Sequence, residues 1–391
     1  MRALCWAGAE GLAVRRVPDP ELRNAHDVIV RVRRSATCGA DLALLAGAGP
    51  RLGVGDVLGH EFLGEVVEAG PEVRRHRVGD RVVVCSTVSC GGCWYCRRGL
   101  YSCCDNGSST EAVVAEPPWG APTGGCYGHP RSTGGFAGSH AEYVRVPYAD
   151  VGAFAVPDGV DDDRAVFASD AAPTGWLGAD LGGVGPGDVV AVWGAGAVGQ
   201  LTALAAFMRG AERVVVVDRY DDRLRMAERT VGAETLHLGR TDVAAELRER
   251  SGGRGPDVCV EAAGESGTGT RPLTGRLGAR SADTLAVREA VHACRKGGTV
   301  AVLGAATGFV DAFPLGAVLH KGLTVRSARQ HGQRYIPRLL ELMARDEVRT
   351  EHLATHRLPL EQGPVGYDLF RTRSDGCVRV VFTPQERARC R

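Results

Sequence analysis

Alternating β-branched and polar residues, punctuated by Gly and Pro, fill the first 150 residues of the chain. In "HDVIVRVRRSA" and "GHEFLGEVVEAG" apolar side chains recur with the period of a strand that buries one face. "VGDRVVVC" reads as a buried strand that delivers the chain into a cysteine-rich loop. Near residue 170 the rhythm changes. "GDVVAVWGAGAVGQLTALAAFMRGAERVVVVDRYDDRLRMAERTVG" is strand, glycine turn, helix, strand, helix, and that alternation implies a parallel sheet. Further buried strands are expected at "PDVCVEAAG" and "GGTVAVLG". Between them a polar, Gly-rich insertion near residues 265–285 is expected to be a covering loop. An amphipathic helix at "RYIPRLLELMARDEV" then leads to a last strand, "GCVRVVFTP". The pattern predicts a β-rich domain over 1–170, an α/β domain over 171–325, and a return to the first domain over 326–391.

Composition removes several function classes. The 391 residues carry a net charge of +1, from 47 basic and 46 acidic side chains, which gives no electrostatic footprint for nucleic acid or an anionic membrane. No apolar run reaches a membrane span, and the first residues lack the pattern of a signal peptide, so a cytoplasmic protein is expected. In that setting 13 cysteines read as metal ligands plus ordinary buried thiols, the latter including Cys5, Cys85, Cys126, Cys259, Cys294, Cys377 and Cys390.

Four of the cysteines lie in "CGGCWYCRRGLYSCC". Cys90, Cys93, Cys96 and Cys104 are spaced to surround one tetrahedral ion within the loop 90–104, and a closed four-thiolate shell is the mark of a structural zinc site. Cys103 is an alternative fourth ligand. Reduced or disulfide-paired thiols fit the spacing less well.

A second motif, "GAGAVG", follows an apolar strand and opens a helix. Gly194, Gly196 and Gly199, with Ala197 and Val198 between them, suit a tight turn against a pyrophosphate. Asp218 ends the next strand, where its carboxylate can accept from both ribose hydroxyls and repel a 2′-phosphate, so NAD is expected over NADP. Arg219 adjoins it and tempers that preference. Of the charged run "DRYDDRLRMAER", only Asp218, Arg219 and Arg223 are expected to reach the adenosine.

Cys38 and His60, in "ATCGADL" and "LGHEF", lie upstream of the cysteine loop. Cys, His and a carboxylate with an open position would make a catalytic zinc site, but spacing alone does not choose the third ligand.

The ordered set "GHE", the four-cysteine loop, "HAEYVRVPYAD", "SDAAPTGW" and "GAGAVG" resembles the zinc-dependent medium-chain alcohol dehydrogenase family. Within it the chain looks most like the glutathione-independent formaldehyde dehydrogenase branch, on "SDAAPTG" and the long insertion. The resemblance implies an α/β fold: a GroES-like β-rich catalytic domain and a Rossmann domain with a doubly wound parallel sheet. It implies two zinc ions per chain, Cys38, His60 and Asp170 holding the catalytic one. It further implies that Glu61 enters the coordination sphere during ligand exchange and that Asp41 holds the His60 ring. Thr174 would line the nicotinamide and Arg379 would contact the pyrophosphate. The implied reaction is hydride transfer between NAD and an alcohol or carbonyl compound, in a homodimer or homotetramer.

Two features depart from the family, the proton relay and the pocket wall. A Ser or Thr usually stands two residues after the first ligand and relays the substrate proton, often to a His; here those positions are Ala40 and Ala43. Either another group takes the proton, or the reaction needs no alcohol proton, as with an alkene or iminium, or a transient oxidation supports elimination or epimerisation with no net redox change. Ser86 stands where relatives often carry an aromatic wall, which points to a substrate bulkier than formaldehyde unless Trp94, Trp119 or Phe136 fills the space. His129, His140, His331 and Tyr127 are further acid–base candidates.

Overall fold

The computed structural model describes residues 1–47, 51–108, 123–130, 133–264, 285–304 and 313–384. The insertion at 265–284, Trp119 and Cys390 lie outside the described residues. The chain divides into two compact units, one of Met1–Leu45, Pro50–Pro173 and Gln330–Arg391, the other of Ala46–Gly49 and Thr174–Arg329. No helix among the described residues is long and apolar enough to cross a membrane.

Among the described residues the first unit begins with nine strands: β1 (Arg2–Trp6), β2 (Leu12–Arg16), β3 (Val28–Ala36), β4 (Glu61–Ala69), β5 (Arg81–Val84), β6 (Thr87–Val88), β7 (Gly125–Cys126), β8 (Tyr143–Val146) and β9 (Ala153–Ala155). Period-two patterning decides which face of β3 is buried. Val28, Val30 and Val32 pack with Phe62, Val66, Val82 and Val84 in one core cluster, which selects a single register.

Among its described residues the second unit carries six parallel strands: β10 (Val189–Trp193), β11 (Arg213–Asp218), β12 (Glu234–His237), β13 (Val258–Glu261), β14 (Thr299–Val302) and β15 (Thr324–Ser327). Their order is β12-β11-β10-β13-β14-β15. Strands such as "VVAVW" and "VCVE" are almost continuously apolar because both faces of a parallel sheet are covered. The order reverses between β10 and β13, and ligands of doubly wound sheets bind at such a switch point, outside the carboxyl ends of the strands. β15 is an edge strand, exposed at all four positions.

The chain returns to the first unit with β16 (His356–Pro359) and β17 (Val380–Thr383), completing the order β16-β17-β3-β4-β5-β9, with β8 also paired to β3. Register at one end of this sheet positions the chemistry. Ala36 of β3 pairs with Glu61 of β4 and with Val381 of β17, and Phe62 of β4 pairs with Val84 of β5. Cys38, His60, Ser86 and Arg379 therefore leave the sheet together.

Candidate functional site

At that sheet end Cys38, His60 and Asp170 offer a thiol, an imidazole and a carboxylate whose donor atoms all lie within 4.8 Å of one another. Asp170 Oδ2 is 3.7 Å from Cys38 Sγ and 3.8 Å from His60 Nε2. Ser169 anchors the segment that brings Asp170 in. Its hydroxyl accepts from Phe62 N at 3.1 Å and donates to the Val84 carbonyl, tying it to β4 and β5. The helix Ala171–Gly182, which carries Thr174, starts immediately after Asp170.

Each donor is held from behind. Asp41, in the first turn of the helix Gly39–Leu45, sets Oδ1 3.1 Å from His60 Nδ1, while its Oδ2 accepts from Cys38 N and Tyr367 Oη at 2.9 Å each. His60 is thereby left with one nitrogen, Nε2, for a ligand. Ser86 Oγ donates to Asp170 Oδ1 at 2.6 Å, and Gln330 Nε2 donates to Ser86 Oγ at 2.6 Å and to Asp170 Oδ1 at 3.2 Å.

The pocket's charges are strongly coupled. Burial works against an ionised Asp41, yet the neighbouring His60 holds its carboxyl well below the ordinary range. Burial likewise opposes a charged His60, but Asp41, Cys38 and Cys126 raise the imidazole well above its usual value. Such a cluster of potential anions is built to receive a cation. Glu61 is fully buried; burial pushes its carboxyl up to about 8, against the pull of Arg379. Its Oε1 accepts from Ala171 N at 2.8 Å and its Oε2 lies 3.9 Å from Arg379. Arg379 is itself buried and donates to the Thr37 carbonyl at 2.5 Å. Cys38 is the leading neighbour that raises its guanidinium pKa, against burial.

Cys90, Cys93, Cys96 and Cys104 form a second cluster with all four sulfurs within 4.8 Å of one another. Cys93 and Cys104 Sγ are 3.9 Å apart, against about 3.8 Å for an ideal tetrahedron with Zn–S bonds of about 2.3 Å. Backbone amides of Cys90 and Asn106 point at Cys104 Sγ at 3.2 and 3.3 Å, and Asn106 Nδ2 points at Cys90 Sγ at 3.4 Å. Such donors favour thiolate over thiol. Cys104, not Cys103, belongs to the cluster.

In the second unit Gly194 has φ +104°, and a Cβ there would lie 2.7 Å from the Ala262 carbonyl oxygen. A Cβ on Gly199 would fall 1.7 Å from the Gly194 carbonyl oxygen, so this residue fixes how closely the helix Ala197–Met208 meets β10. Gly196 differs: a Cβ there would meet only Arg223 Nη1, at 3.8 Å. Packing among the described residues therefore does not demand Gly196, which starts a helix with no side-chain cap. Asp218 closes the turn, accepting from Ala195 N at 2.6 Å through Oδ2 and from Arg219 N and Tyr220 N at 2.6 and 3.1 Å through Oδ1.

The remaining sequence candidates fall in different surroundings. Tyr127 is buried against Phe62 and Phe136, and Phe136 belongs to the same core. Trp94 is 52% exposed beneath Arg98. His331 Nδ1 faces Ser102, 3.1 Å from its hydroxyl. His140 is sealed between Ser35 Oγ at 2.7 Å and Tyr367 Oη at 2.9 Å. Of the described candidates, His129 alone meets a donor of the Cys38, His60 and Asp170 cluster, its ring edge-on to His60 with centroids 5.4 Å apart. Cys126, expected from sequence to be an ordinary buried thiol, also reaches it. The C-x-x-H spacing of Cys126 and His129 is the local signal that could have found the pair, but nothing in the sequence ties it to His60.

Comparison with known proteins agrees with this architecture. The model of the alcohol dehydrogenase GroES-like domain matches residues 24–158, and that of the zinc-binding dehydrogenases matches residues 197–270. The chain is 33% identical over 389 residues to the zinc-type alcohol dehydrogenase-like protein AdhB of Bacillus subtilis, covering 98% of this chain and 100% of that one. The solved structure of alcohol dehydrogenase TADH from Thermus sp. ATN1 superposes with a TM-score of 0.82 at 32% identity, covering 98% of this chain and 99% of that one. Glutathione-independent formaldehyde dehydrogenase of Pseudomonas aeruginosa is 34% identical over 276 residues, 67% of this chain and 65% of that protein.

Proposed function

Because the chain belongs to the zinc-type medium-chain alcohol dehydrogenase family, we propose that it transfers a hydride between NAD(H) and an alcohol or carbonyl substrate bulkier than formaldehyde. The convergence of Cys38, His60 and Asp170 carries this reading. Three protein donors of these types leave a fourth position for a substrate oxygen, the composition of a catalytic rather than a structural zinc site. When bound there, zinc supplies Lewis acidity to that oxygen, and NAD accepts or gives the hydride.

The chain's own groups do the positioning. Asp41 fixes the His60 tautomer so that Nε2 faces the ion. Ser86 and Gln330 occupy Asp170 Oδ1 and leave Oδ2 for the ion. Cys38 and Asp170 together offset the +2 charge, and Arg379 compensates the buried Glu61. Gly196 and the start of the helix Ala197–Met208 receive the pyrophosphate, Asp218 and the neighbouring Arg219 and Arg223 the adenosine, and Thr174 the nicotinamide. The four-cysteine loop holds a second, structural zinc. Leu315 and Leu319, on the helix Leu315–Lys321, and Val325 of β15 are exposed at 67%, 75% and 39%, and among the described residues β15 is the end strand of its sheet, which supports a homo-oligomer closed through that edge.

The test is to mix the purified protein with NAD and a panel of alcohols and aldehydes and follow reduced-cofactor absorbance. Turnover that favours bulky hydroxylated or carbonyl compounds is expected. No turnover of any substrate, with zinc and NAD both bound, would overturn the reading. Ala40 and Ala43 favour a second reading, in which the reaction is redox-neutral overall or reduces an alkene or iminium. The redox-neutral form predicts NAD that copurifies and turnover without added cofactor.

A further inference from the structure

His60 belongs to two donor sets. One is Cys38, His60 and Asp170; the other is His60, Cys126 and His129, again with all donor atoms within 4.8 Å of one another. The second set is built by packing. Cys126 ends β7, where it pairs with Thr87 of β6, and its side chain is 4% exposed. Tyr127 anchors the next position in the core. Gly128 then turns the chain at φ +65°, pressed so closely on Gly59 that a Cβ would lie 2.6 Å from the Gly59 amide nitrogen. That contact delivers His129 to the ring of His60, whose own backbone follows Gly59.

We infer that Cys126 and His129 form a second seat for the catalytic ion, in addition to Cys38 and Asp170. The two sets cannot hold two ions at once. His60 Nδ1 is committed to Asp41, so the ring has one nitrogen for coordination and serves one ion at a time. One thiolate and two imidazoles are ordinary zinc donors, so the set fits the ion chemically. Charge orders the seats. Cys38 and Asp170 bring two negative charges against +2, whereas Cys126 brings one, so the ion rests in the first seat and visits the second. An ion that moves between them keeps protein donors throughout, which gives the pocket a route for ligand exchange.

The inference rests on the metal reading above, and metal content separates the two. Zinc per chain is measured after dialysis against excess chelator and reloading with one zinc per donor region. Wild type is expected to hold two ions, one in the cysteine loop and one at His60. C38S removes a first-seat donor and is expected to keep two ions, and C38S/C126S and C38S/H129N to keep one. Retained loop zinc and a cooperative thermal transition show that each variant is folded. Two ions in C38S/C126S, or one in C38S, would overturn the second seat while leaving the first intact. One ion in wild type would overturn the metal reading and the second seat with it.

Discussion

The hydroxyl of Ser86 donates to Asp170 Oδ1 at 2.6 Å, on the side of the carboxylate turned away from Cys38 and His60. Gln330 completes the grip by donating to both residues. Ser86 is thus committed to orienting the third donor. Groups of this kind behind a metal ligand contribute about 10- to 100-fold in metal affinity or activity. Ser86→Ala is expected to lower kcat/KM by about that factor and to shift the zinc titration of activity to higher concentration, with excess zinc restoring part of the rate. Wild-type kinetics at wild-type zinc dependence would show that the hydroxyl does not support Asp170.

Asp218 accepts the backbone N–H of Ala195 in the glycine turn and those of Arg219 and Tyr220, which directly follow it, and it ends β11 at the ribose site we propose. Asp218→Ala removes acceptors for the ribose hydroxyls and the repulsion of a 2′-phosphate. Hydrogen bonds to a charged acceptor are worth about 1.5–3 kcal/mol, so KM for NAD is expected to rise about 10- to 100-fold while use of NADP improves. Steady-state kinetics with both cofactors reads this out. An unchanged NAD to NADP ratio would remove Asp218 from cofactor selection.

Cys104 sits in the sulfur cluster and the adjacent Cys103 does not. Cys104→Ser is expected to lose the loop zinc and lower Tm by about 5 °C or more, whereas Cys103→Ser keeps both. Metal analysis with calorimetry distinguishes them, and equal behaviour of the two variants would refute the ligand assignment.

His140 is buried and burial lowers its imidazole to about 4. The unfolded chain takes that proton near 6.5, so between about pH 6.5 and 4 the unfolded state binds more protons than the native state. The stability His140 contributes is therefore complete above about pH 6.5 and is lost as the pH falls, by up to about 3 kcal/mol. Urea unfolding at pH 7.5 and pH 4.5 should show a smaller acid loss in His140→Gln than in wild type. Equal losses would mean that His140 does not titrate in this window.

Legibility from sequence followed locality. The cysteine loop and "GAGAVG" could be read because their donors and turns lie within a few residues and announce one geometry. Asp218 could be read because it ends the strand that follows the glycine turn and its helix. Cys38, His60 and Asp170 are far apart in sequence and meet only through the pairing of Ala36 with Glu61 and the Ser169 anchor, so their grouping required the family resemblance. Ser86 acts through Asp170, and no spacing rule reveals that hydrogen bond. Cys126 and His129 are local to each other, in a C-x-x-H spacing, but they meet His60 only through a two-residue strand and one left-handed glycine, and nothing in the sequence announces that meeting.

The most direct test of the central claim is anomalous diffraction at the zinc edge from crystals of the purified protein. Two peaks per chain are expected, one within Cys90, Cys93, Cys96 and Cys104 and one bounded by Cys38, His60 and Asp170. A lone peak in the cysteine loop, from crystals grown with zinc in excess, would contradict it.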